Sequence, residues 1–207
     1  MKFILASQNR HKLVEMQSIL EKHGVEVVLQ GDVGLKVDVE ETGTTFAENA
    51  MLKARAVMEA SGLPAIADDS GVCVDALNGA PGIYSARYGG EGLDDIQRYQ
   101  LLLQNMRGVG DRTAHFTSAI ACIFPNGDTL EAEGICPGTI AYAPQGDGGF
   151  GYDPVFFLPQ LRKTYAQLTA DEKAAVSHRG KALEIFDVKL REYLKDTKSN
   201  FFIKSKR

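Results

Sequence analysis

The sequence predicts an α/β fold built on a mixed, twisted β-sheet. Two observations carry this: strand-like and helix-like runs alternate in the amino-terminal part, and an Asn-Gly turn at 126–127 later joins two β-rich runs. Alternating strands and helices favour parallel neighbours, because a parallel pair needs a crossover, whereas a tight hairpin forces antiparallel pairing. Both in one chain give a mixed sheet.

The elements follow in order. Lys2 to Ala6 reads as a short buried strand, "SQNRHK" as a polar turn, and Leu13, Met16 and Leu20 fall at helical spacing until His23-Gly24 stops the helix. "VEVVLQ", residues 25 to 30, is a second strand. After the loop "GDVGLKVDVEETG", Thr44-Thr45 cap a long helix running to about Ser61, with Gly62 and Pro64 punctuating its end. "AIADD" follows as a short strand and "DDIQRYQLLLQNM", residues 94 to 106, as a helix. "TAHFTSAIACIF" and "DTLEAEGIC" flank Pro125-Asn126-Gly127-Asp128 as a hairpin. A glycine-rich loop at 146–151, a short capped helix near "TADEKAAVS" and a helix with Leu183, Phe186, Leu190 and Leu194 on one face complete the order. One domain is expected over 1–195, followed by a solvated basic tail at 196–207.

Composition removes several classes of function. A net charge of −4 and a pI near 5.6 argue against wrapping a nucleic acid polymer, which needs many Lys and Arg contacts to phosphate. They leave room for a small anionic ligand. Cys73, Cys122 and Cys136 lie far apart without a C-x-x-C pair, and the four histidines show no H-x-x-x-H spacing, so neither a disulfide framework nor a histidine-built zinc site is expected. Any metal falls to carboxylates. No stretch approaches the roughly 20 apolar residues that span a bilayer, and "MKFILASQNRHK" turns polar too early for a secretory signal, so a cytoplasmic protein without membrane contact is expected.

Ligands in such sheets gather beyond the carboxyl ends of strands, which is where "SQNRHK" and "DDSG" are expected. In the first turn, a hydroxyl (Ser7), amides (Gln8, Asn9), cations (Arg10, Lys12) and His11 meet the positive end of a helix: either an anion site or plain capping by Ser7 or Asn9. Asp68-Asp69 reads either as an Asx-type turn satisfying backbone N–H groups or as a Mg²⁺ ligand with a general base. On the 45–61 helix, a wheel puts Phe46, Ala50, Ala54, Val57 and Met58 on one side and Thr45, Glu48, Asn49 and Lys53 on the other. The second side is a solvated face, or Lys53 reaches a phosphate. "GDGGFG" matches G-x-G-x-x-G, but the required strand-turn-helix context is missing, since Tyr152-Asp153-Pro154 lead into an apolar run. It reads instead as a loop presenting Phe150 for stacking and Asp153 for hydrogen bonding, or as a simple turn. His178 and Arg179 open a helix as two donors, or as a surface pair. Ser70 lacks the G-x-S-x-G setting of a serine hydrolase.

Taken together, "ASQNRHK", "EETGTTFAENAMLKA", "ADDSG", "PGIYSARY", "GGFGYDPVFF" and "SHRGKAL" occur in the order of the inosine/xanthosine triphosphate pyrophosphatases, which this chain resembles from residue 2 to about 194. The resemblance implies an elongated mixed sheet with two lobes, an active-site cleft between them, Mg²⁺ dependence, a homodimer, and removal of deaminated purine nucleotides from the pool. It places triphosphate on Ser7 to Lys12 and on Lys53, Mg²⁺ on Asp69 with Glu40 or Glu41, and the proton acceptor at Asp69. Ser70, the segment Phe150, Gly151, Tyr152 and Asp153, and Lys173, His178 and Arg179 would contact the nucleotide. The first motif departs from the usual Thr-Gly-Asn, since Ser7-Gln8-Asn9 keeps the hydroxyl and the amide but not the glycine. A related pyrophosphatase with other nucleotide specificity and a binding module without turnover are the alternatives. GTP shares the 6-carbonyl of ITP and XTP, so excluding it calls for a contact at the purine 2-position to which no residue is assigned.

Overall fold

A computed structural model of the chain describes the backbone of residues 1–204 and side chains through Asp196. Strands β1 (Lys2–Leu5), β2 (Glu26–Leu29), β3 (Ala65–Val74), β4 (Thr113–Ile123), β5 (Thr129–Ile140), β6 (Phe156–Leu158) and β7 (Lys163–Thr164) form one sheet in the order β2-β1-β3-β4-β5-β6-β7. β1 pairs in parallel with β2 and β3, and every later pairing is antiparallel. Helices are α1 (Arg10–Leu20), α2 (Phe46–Ser61), α3 (Asp95–Asn105), α4 (Ala170–Val176) and α5 (His178–Lys204). The mixed sheet and the turn at Asn126-Gly127 are as the sequence predicts. The side chains from 197 on, where the basic tail was expected, lie outside the described residues.

Strand alternation sorts the core. One sheet face carries Phe3, Leu5, Ile66, Ile120 and Cys122 against Met16 and Leu20 of α1 and Leu183, Phe186 and Leu190 of α5. The other face packs Ile4, Ala65, Ala67 and Ala121 against Ala50, Ala54 and Val57 of α2. Alanines on both sides bring α2 close to the strands, which is what lets a side chain from α2 reach the sheet. A third cluster, Leu102 of α3 and Met106 just past its end with Val72, Phe116, Tyr152, Phe156 and Tyr165, fills the far end of the sheet. Among the described residues no helix is long and apolar enough to cross a membrane.

Two expectations are corrected. "DDSG" does not lie beyond a strand end: β3 runs ten residues, and Asp68, Asp69, Ser70 and Gly71 pair with Ile120, Ala119, Ser118 and Thr117 in mid-strand. The long antiparallel partner β4 extends β3 past the point where composition marks a turn. Asn49 is not on a solvated face either. It is fully buried and accepts a hydrogen bond from the Gly43 N–H at 2.9 Å, fastening the loop before α2.

Candidate active site

The first turn after β1 is rigid. Asn9 caps α1, its Oδ1 accepting from the N–H groups of His11 and Lys12, while Ser7 Oγ accepts from the Asn9 N–H. Asn9 is therefore the cap, and Ser7 holds Asn9 in place. Arg10 points outward to Asp32 at 3.3 Å, Gln8 stacks its amide close to Gly31, and His11 lies parallel to Phe150 with ring centroids 5.4 Å apart. Lys12 turns inward to the sheet.

Adjacent residues of a strand leave opposite faces, and that divides the acidic pair. Asp68 points to the α1/α5 face, where its side chain is fully buried. Lys12 Nζ lies 2.6 Å from its Oδ1 and Arg179 Nε donates to its Oδ2 at 2.9 Å, with Ser118 and Ser70 hydroxyls also donating. Burial would raise this carboxyl, but Arg179 and then Lys12 outweigh it and hold it well below the carboxylate range. Not a turn cap, Asp68 anchors two cations. Burial lowers Lys12 despite the pull of Asp68, with Arg179 and Lys53 adding repulsion.

Asp69 points to the α2 face. Lys53 Nζ donates to its Oδ1 at 2.6 Å and to Glu41 Oε1 at 3.0 Å, and Arg87 pairs with the other Glu41 oxygen. Asp69 Oδ2 is buried with no hydrogen-bond partner among the described residues. Burial pushes Asp69 up, and Lys53 offsets only part of that. For Lys53, burial works against the charge, yet Asp69 and then Glu41 outweigh it and raise its pKa. Lys12 and Lys53, from the two sides of the sheet, both donate to the backbone carbonyl of Asp68, at 3.2 and 3.3 Å. Two ammonium groups thus converge at one edge of β3. Glu40, next to Glu41, is exposed and makes no ion pair among the described residues.

A cleft of about 630 Å³ opens from Lys12 and Ser70 on the α1/α5 side. It collects most of the residues picked from the sequence: Gln8, Asn9, His11, Lys12, Ser70, Phe150, Gly151, Tyr152, Asp153, Lys173, His178 and Arg179. Lys53 and Glu41 line a smaller cavity of about 160 Å³ across the strand. Asp153 is buried, binds Lys173 Nζ at 2.5 Å and accepts from the Phe150 N–H, and burial raises its carboxyl against the pull of Lys173. Phe150 is thereby held with Lys173 Nζ 5.0 Å and the Arg179 guanidinium 5.8 Å from its ring centre.

His178 and Arg179 are not a surface pair, being 4% and 2% exposed. Gly134 of β5 explains why they reach the sheet: a Cβ there would meet the His178 carbonyl oxygen at 2.2 Å and the Ala182 nitrogen at 2.4 Å, so only glycine lets the first turn of α5 press in. His178 stacks on Phe116 at 4.5 Å, and burial, then the Arg179 charge, holds its pKa well below 6.5, leaving a neutral ring. Arg179 does not offer its fork to the cleft. It spends it on Asp68, Ser70 and Glu15.

Sequence reading missed Glu15, Arg87, Arg98, Phe116 and Ser118. Ser118 is the register partner of Ser70 across β3 and β4, a long-range pairing that the intervening 75–112 segment hides from the sequence. Arg87 sat in the quoted "PGIYSARY" without a role. The others carry no local signal.

A cationic edge at the end of β1 and the middle of β3 leads into an aromatic-walled cleft, and in an α/β protein this arrangement is chemically suited to a phosphorylated ligand with a flat ring. The chain belongs to the Ham1 family, whose sequence model matches residues 3–188. It is 49% identical to a dITP/XTP pyrophosphatase of Streptomyces coelicolor, over 93% of this chain and 98% of that one. It is also 49% identical to the dITP/XTP pyrophosphatase of Escherichia coli K12, over 89% and 95%. A HAM1 protein of Coxiella burnetii matches in structure with a TM-score of 0.86 at 43% identity, covering 93% of this chain and 99% of its own.

Proposed function

We propose that this protein hydrolyses the non-standard purine nucleoside triphosphates ITP, dITP and XTP to the monophosphate and pyrophosphate. The observation that carries the reading is the convergence of Lys12 and Lys53 on the Asp68 carbonyl beside Asp69, whose second oxygen is buried and unpartnered. Two cations there suit a run of phosphates, and an orphaned carboxylate oxygen suits a metal or a water. The names of the relatives at about half identity support the substrate class.

In this mechanism water attacks the α-phosphorus, the bond to the bridging oxygen breaks, and pyrophosphate leaves. Asp69 takes the proton from the water, helped by burial that raises its basicity. Lys12 and Lys53 neutralise the departing oxygens. Ser7 and Asn9 keep the turn in shape through their capping bonds.

Among the described residues no three His, Cys, Asp or Glu side chains form a metal cluster. Mg²⁺ needs fewer, one or two carboxylates completed by phosphate oxygens and water, and the orphaned Asp69 oxygen fits that demand. Asp69 and Glu40 are the residues that would hold it, because both Glu41 oxygens are committed to Lys53 and Arg87. When bound, the ion supplies Lewis-acid charge to the phosphates. The base lies against Phe150, with its 6-carbonyl facing donors of Lys173 and His178; the 6-amino group of ATP leaves such donors unpaired, at about 1–3 kcal/mol each. The protein is cytoplasmic and homodimeric in this reading.

The test is pyrophosphate release from ITP, dITP, XTP, ATP, GTP and dTTP, with and without Mg²⁺. Mg²⁺-dependent release confined to ITP, dITP and XTP is expected. Broad release points to a related pyrophosphatase of other specificity, and none at all to a binding module.

A further inference from the structure

Arg98, in the first turns of α3, has no part in the chemistry above, yet it lines the cleft. Its Nε donates to the Ala86 carbonyl at 2.8 Å, which fixes one edge of the guanidinium. Its Nη1 is closed off from solvent and has no hydrogen-bond partner among the described residues. Asp95, one turn earlier on the same helix, would be the natural partner, but its Oδ2 accepts from the Gly151 N–H at 2.8 Å, and no ion pair with Arg98 forms. A guanidinium cannot shed its proton to relieve an unmet donor. A buried donor without an acceptor is costly, so its standing need for one points to a ligand.

The neighbourhood says which part of a ligand. Asp95 ties α3 to Gly151, so Arg98 stands on the wall shared with the 150–153 loop, on a different element from the lysine pair proposed to take the phosphates. That is the end where the ring lies against Phe150. The donors for the 6-position come from α4 and α5, namely Lys173 and His178. Arg98 on α3 is a further donor on the cleft wall, held in place by its bond to Ala86.

We propose that Arg98 is the specificity-determining residue for the purine 2-position, donating to the 2-carbonyl of xanthine. Hypoxanthine, with hydrogen there, is tolerated. Guanine presents a 2-amino group, donor against donor, and is refused although its 6-carbonyl matches. Xanthine also loses a ring proton more readily than hypoxanthine, and the resulting negative charge adds to its attraction for the guanidinium. This inference rests on the proposed pyrophosphatase activity.

The experiment compares kcat/KM for ITP, XTP and GTP in wild type, Arg98→Met and Arg98→Lys, alongside Kd for IMP, XMP and GMP by calorimetry and a thermal melt. ITP and XTP differ only at the 2-position, so their ratio is blind to general damage. Arg98→Met is expected to lower the XTP-to-ITP ratio by about tenfold or more and to raise GTP relative to ITP, with the same order in the monophosphate affinities. Arg98→Lys, which keeps a cation, should fall between and serves if the Met variant does not fold. Unchanged XTP-to-ITP and GTP-to-ITP ratios in a folded, ITP-active variant overturn the proposal. If wild type itself releases no pyrophosphate, the activity reading fails instead, and the XMP, IMP and GMP affinities still decide the role of Arg98.

Discussion

Replacing Asp68 by Asn removes one negative charge from the centre of the molecule and leaves two cations facing each other. The carboxylate has no exposed surface and receives Lys12 at 2.6 Å, Arg179 at 2.9 Å and Ser118 at 2.7 Å. Breaking a buried pair by removing one partner costs about 3–5 kcal/mol, because the orphaned charges stay buried. For a chain of this size, each kcal/mol lowers the melting temperature by roughly 2–4 °C, so a fall of about 6–20 °C is expected. Asp69→Asn is the control one residue away. Lys53 keeps Glu41, and burial already disfavours the Asp69 charge, so the melt should move much less while pyrophosphate release drops by about a hundredfold or more. Calorimetry and turnover on the same samples read both. An Asp68→Asn protein melting within about 2 °C of wild type, or an Asp69→Asn protein that is the less stable of the two, would refute the assignment of fold to one carboxylate and reaction to the other.

Three further outcomes are expected. His178 is held neutral in the fold with its pKa below 6.5, so the unfolded chain binds the extra proton: its contribution to stability is complete above about pH 6.5 and is lost as pH falls toward the lowered value, and urea titrations should show a His178→Gln variant with a flatter decline there. Asp68 adds a second loss in the same direction at lower pH, starting near its unfolded value of 3.8. Phe150→Ala should lower kcat/KM for ITP by roughly tenfold or more through loss of the ring proposed to stack on the base, and unchanged steady-state kinetics would remove that role. Gly134→Ala forces α5 off the sheet, and both melting temperature and kcat/KM should fall; a neutral result would mean that the helix end yields without cost.

Much of the fold was legible because local signals and tertiary demands agree. Thr45 and Glu48 announce the start of α2 and form the capping box there, and Asn126-Gly127 marks the β4–β5 hairpin. The length of β3 was not legible. Asp, Asp, Ser and Gly are poor strand formers, and it is the ten-residue pairing with β4 that holds them extended. That miss hid the most consequential fact about the site, since a turn leaves Asp68 and Asp69 free to act together while a strand sends them to opposite faces. Cleft lining was legible where motifs are contiguous, as in Phe150 to Asp153. Legibility failed where a partner comes from a distant element, as with Glu15 on Arg179 or Arg98 at the cleft wall.

The placement of Arg179 in α5, the last of the described elements, bears on how the protein is made. A ribosome releases the strands and Lys12 long before it releases this helix, and until then Asp68 has only one of its two cations. A chain stopped short of α5 would carry an undercompensated charge inside its sheet and an unclosed cleft. No copy could therefore close the charge cage before α5 is made, and degradation machinery would find copies terminated ahead of that helix already loosened at their centre.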